Sequence, residues 1–146
     1  MERSTISMIM FLLVFLLIYG GLHLYMFLRA RAGLGLGTKT SVYFAAFLML
    51  MVFAPILTRL FEKPGVESIA RAIAYVGYTW MAILFLFFSV SIVIDLLRLL
   101  VYLGGSVIGR GFPGFTTVGL YHFLIPFGLA LAISFYGYFE ARDIRT

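Results

Sequence analysis

The sequence predicts an all-α membrane protein: four transmembrane helices in a compact bundle, with the third long enough to extend past the bilayer. Three observations carry this. Of the 146 residues, 63% are hydrophobic and 12% are charged, whereas a soluble domain is about 25% charged. The mean hydropathy is +1.09. The apolar residues also gather into four runs separated by segments that hold most of the charges, glycines and prolines. About 20 helical residues cross a hydrocarbon core of about 30 Å, and these runs are of that order. At 16.4 kDa, residues 1–146 make one transmembrane domain with no room for a soluble one.

The first span covers residues 6–28, with His23 as its one strongly polar member. It is longer than the 7–15 residues typical of a secretory signal core, and Arg29, Arg31 and Lys39 follow it, so it reads as a retained anchor. The segment AGLGLGTKT, from Ala32 to Thr40, is predicted to be a loop. The second span, 42–60, contains Pro55, which is expected to kink or unwind its last turns, and Arg59, which can snorkel from its end. Pro64-Gly65 then marks a turn, and Glu67 and Arg71 have the four-residue spacing of a helical ion pair.

The third span, 72–103, is the element around which the others are organised. From Ala72 to Ile94 it has no charge; Asp95 and Arg98 then follow one turn apart, and the apolar pattern resumes through Leu103. A helix of about 32 residues is about 48 Å long, more than a bilayer core requires. In residues 104–117, five glycines and Pro113 predict an interfacial loop. The fourth span, 118–139, starts near His122, with Pro126 and Gly128 as a predicted kink.

Four spans place both termini on one side. The side with the termini holds six basic residues and the other five, so the total sets no orientation. Three basic residues follow the first span, which favours a cytoplasmic location for that loop and termini outside the cytoplasm. There is no Cys, hence no disulfide or thiolate metal site, and Asn and Gln are absent too. The net charge of +5 sits beside apolar spans, where basic residues meet anionic headgroups. The expected partners are therefore the lipid bilayer, an anionic lipid headgroup and a second copy of the chain, and nucleic acid is not among them.

The candidate site comprises His23, Asp95, Arg98 and His122. By position in their spans, all four face one leaflet within about two helical turns of its surface. Ionisable residues inside a membrane mark function by default. Three uses fit them: mutual neutralisation of Asp95 and Arg98 at i,i+3, a headgroup pocket with Arg98 on a phosphate, and a metal or haem site on the two imidazoles. The first is the plainest. No metal ligands with recognisable spacing and no nucleophile beside a base occur, so no catalytic residue, metal site or cofactor is assigned to this chain. Trp80 and the tyrosines read as interfacial belts.

Three stretches carry a likeness: Phe53-Ala54-Pro55-Ile56-Leu57, Gly77-Tyr78-Thr79-Trp80-Met81 and Tyr136-Gly137-Tyr138-Phe139-Glu140-Ala141-Arg142. Together they resemble the N-terminal membrane region of bacterial membrane-bound metallophosphoesterases. In that family a soluble calcineurin-like domain follows, binds two divalent metal ions and hydrolyses phosphate esters. Its ligand motifs (DxH, GDxxD, GNH and GHxH) do not occur here, so no catalytic residue carries over. The resemblance implies that Ala141–Thr146 is a hinge and that the helices anchor, and position, a metal-dependent hydrolase domain beyond residue 146. The rival expectation is a free-standing four-helix membrane protein that binds a lipid or oligomerises, with transport as a further use.

Overall fold

The computed structural model describes residues 2–61, 67–107 and 119–143, and among them it contains four helices and no strand. These are α1 (Glu2–Leu34), α2 (Thr38–Phe61), α3 (Glu67–Val107) and α4 (Tyr121–Asp143). Each is long and apolar enough to cross a membrane. Lipid offers no partner to a bare backbone N–H or C=O, and a helix satisfies both within one segment, which is why such runs take this form.

The helices overrun the predicted spans. The segment 32–40, expected as a loop, is mostly helical: α1 continues to Leu34, Gly35 takes φ +60° and α2 begins at Thr38. A left-handed glycine just past the last helical residue is a common helix stop, because it alone has no Cβ to strain there. Gly37 C=O then accepts the Ser41 N–H at 2.9 Å, the first bond of the α2 ladder. At 41 residues, α3 is about 60 Å long, well beyond one hydrocarbon core. It runs through Gly104 and Gly105 to Val107, where a loop was expected; residues 108–117 of that predicted loop, the Pro64-Gly65 turn and residues 144–146 of the predicted hinge lie outside the described residues. Glu67 and Arg71 both stand exposed on the first turns of α3.

Burial recurs every three or four residues on α1 and α4. On α3, Ala70, Gly77, Leu84 and Ser91 are buried at strict seven-residue intervals, with Phe87 between the last two. On α1 the buried side chains are Tyr19, His23, Met26 and Ala30. A seven-residue repeat of inward positions is the signature of left-handed helix packing. Many of these positions are small or polar, as expected where lipid gives no hydrophobic drive and close approach of backbones matters most.

The chain divides into two compact units. Unit one is Met1–Leu28 with Gly37–Met81. In it α2 and α3 approach closely enough that a Cβ on Gly77 would lie 3.1 Å from the Ala54 Cβ. The expected break at Pro55 does not occur, and α2 continues to Phe61. Proline removes the N–H that would bond the carbonyl four residues earlier, that of Met51. The Tyr19 hydroxyl of α1 donates to this Met51 carbonyl at 3.4 Å. Thr58 donates to the Ala54 carbonyl at 3.0 Å, within the same turn.

Unit two is Arg29–Leu36 with Ala82–Thr146. Its core is aromatic: Phe123 packs on Phe87 and Phe127 at centroid distances of 5.4 and 5.3 Å. Here the end of α1 meets the start of α4, and a Cβ on Gly33 would fall 2.9 Å from that of Phe123. Helix α4 runs unbroken through the buried Pro126.

Candidate functional site

Two polar clusters emerge, one in each unit. In unit one, His23 is 3% exposed and both its ring nitrogens are occupied. Nδ1 lies 2.8 Å from the Tyr19 carbonyl one turn earlier on α1. A carbonyl only accepts, so Nδ1 carries the proton. Nε2 is then the acceptor, and the indole Nε1–H of Trp80 on α3 donates to it at 3.0 Å. The Tyr19 ring meets His23 edge-on at 4.5 Å, and Phe47 of α2 meets Trp80 the same way at 4.9 Å. The result is a relay across three helices, from the Met51 carbonyl through Tyr19 and His23 to Trp80.

Chemically this arrangement holds helices together. With one ring nitrogen donating and the other accepting, His23 has no lone pair left for a metal or a substrate. Trp80, expected in an interfacial belt, lies 13 residues into α3, about 20 Å from its start. Its indole ties α3 to α1 through His23.

In unit two, Arg29 pairs with Asp95. Arg29 fell outside the predicted first span; because α1 continues past it, its guanidinium is carried into the unit with only 14% of the side chain exposed, against 45% for Asp95. Arg98 stands one turn beyond Asp95 on the same face of α3. His122 is the second residue of α4, and its Nδ1 accepts the Gly119 N–H at 3.0 Å. The ring thus satisfies a backbone donor at the helix start, as a side chain does in a capping box. The charges of Arg98, Arg29 and Asp95 all act on this ring.

Of the four predicted site residues, the structure groups Asp95, Arg98 and His122 in unit two and adds Arg29 to them. It gives His23 to the unit-one relay. Among the described residues, no three His, Cys, Asp or Glu side chains come together as metal ligands. Unit one also holds an open, apolar groove of about 360 Å³ between α2 and α3, from Leu50 and Met51 to Val76 and Gly77. It has no polar group that would select a ligand.

No protein-family model, curated protein or solved structure matches this chain.

Proposed function

We propose that this chain is a membrane-anchoring domain that positions a soluble two-metal phosphoesterase domain following residue 146. The observation that supports the anchoring role is that two of its buried polar side chains, His23 and Arg29, are spent on helix-to-helix ties. His23 uses both ring nitrogens on Tyr19 and Trp80, and the largely buried Arg29 pairs with Asp95. Around these ties the exposed surface is apolar, with Phe11 and Leu17 more than 70% exposed. Such a surface is stable in lipid and aggregates in water.

The phosphoesterase itself rests on the likeness of the three stretches around Pro55, Trp80 and Tyr138. The domain sits in a bacterial inner membrane with both termini outside the cytoplasm, so the hydrolase would act on that side. The test is the mass of the native gene product, detected in its own cells with an antibody to this region. A product much heavier than 16.4 kDa whose purified form hydrolyses a phosphate monoester with Mn²⁺ supports the proposal. A product at that mass, or a heavier one without hydrolase activity, overturns it in favour of a free-standing lipid-binding or oligomeric protein.

A further inference from the structure

We infer that the Arg29, Arg98 and His122 cluster of unit two is a binding site for a phosphate group at the membrane surface. The inference does not need the phosphoesterase reading. Three helices contribute to the site, one residue each: α1 Arg29, α3 Arg98 and α4 His122. Among the described residues of the cluster, two guanidinium groups stand against one carboxylate, an excess of one positive charge. A guanidinium has five N–H donors in a planar fork that matches phosphate geometry.

His122 supplies the directional part. Because Nδ1 accepts the Gly119 N–H at 3.0 Å, the proton of the ring is on Nε2, a donor with no partner among the described residues. The backbone bond thus selects the tautomer that offers a proton to an anion, and the Arg98 and Arg29 charges already act at the ring. Asp95 fixes Arg29 and limits the excess charge, which favours a singly charged phosphodiester over a more highly charged anion.

Two sources carry this group: the headgroup of an anionic phospholipid and free inorganic phosphate. The experiment uses the full chain, delipidated in detergent, with phosphatidylglycerol or inorganic phosphate as probe and phosphatidylcholine as the zwitterionic reference. Retained lipid is counted by native mass spectrometry and melting is followed by circular dichroism. Expected is preferential retention of phosphatidylglycerol and an about tenfold loss in Arg98→Gln, as one charge-assisted bond is removed. If inorganic phosphate alone raises the melting temperature of the wild type but not of Arg98→Gln, the site stands and its source is the free ion.

His122 separates binding from structure. His122→Asn keeps an acceptor for Gly119 but loses the Nε2–H, and is expected to bind more weakly. His122→Gln keeps a donor near the Nε2 position but loses the cap, and is expected to bind while melting lower. Should Arg98→Gln fail to fold, the His122 pair decides. Wild-type binding of both probes in His122→Asn, or no preference for either probe over phosphatidylcholine in the wild type, overturns the site.

Discussion

Trp80→Phe tests the relay in unit one, because it removes one N–H and leaves most of the ring in place. In the native chain the indole N–H satisfies a histidine nitrogen that is otherwise sealed from solvent. Removing one partner of a buried pair costs about 1–3 kcal/mol through the acceptor left behind. Interhelical side-chain hydrogen bonds in membranes average about 0.6 kcal/mol and reach about 1.7. The edge contact with Phe47 at 4.9 Å is partly kept by phenylalanine. The single substitution is therefore expected to lower stability by about 2 kcal/mol, the buried acceptor being the larger share. In a double-mutant cycle with His23→Leu, the coupling should be about 1 kcal/mol, since the two side chains touch directly. The assay is reversible unfolding in mixed micelles followed by helical circular dichroism. A coupling below about 0.3 kcal/mol would refute the relay, because that is the level expected of side chains that do not interact.

Other substitutions probe other ties with the same assay. Gly33→Ala is expected to cost about 1–2 kcal/mol because its Cβ would meet that of Phe123, and neither atom can rotate away; Gly20→Ala, in open space on α1, should instead stabilise by up to about 1 kcal/mol. Tyr19→Phe should cost about 1 kcal/mol in the wild type, and much less in a Pro55→Ala background where residue 55 regains the N–H for the Met51 carbonyl. Ser91→Ala should be neutral or stabilising by about 1 kcal/mol, because the fully buried Ser91 hydroxyl has no hydrogen-bond partner among the described residues.

The four helices were legible because length and hydropathy alone decide whether a segment suits lipid. The inward faces were not. In water, apolar periodicity reveals a buried stripe; in lipid both faces are apolar, and the α3 stripe of Ala70, Gly77, Leu84 and Ser91 is less apolar than the surface around it. The helix ends were misplaced where glycines were read as loop, since Gly104 and Gly105 of α3 sit in regular helix. That error had a consequence for the site: ending the first span at Leu28 put Arg29 on a flank, when it is the partner of Asp95. The depth argument grouped Asp95, Arg98 and His122, and all three lie in unit two. It assigned His23 by the same rule, but His23 lies opposite Trp80, a pairing that only the register of α1 against α3 reveals. Likewise Pro55 signals a missing N–H in sequence, but not that Tyr19 would serve the carbonyl it leaves.

The chain contains no cysteine, so single cysteines can report which side of the membrane each connection faces. The decisive measurement places them at Lys39, Glu67 and Tyr121, all exposed, and treats sealed vesicles with a membrane-impermeant thiol reagent. If all four helices cross, Lys39→Cys and Tyr121→Cys label from one face and Glu67→Cys from the opposite face. Labelling of the 39 and 67 positions from the same face would mean that α2 does not cross, and would contradict the four-span account.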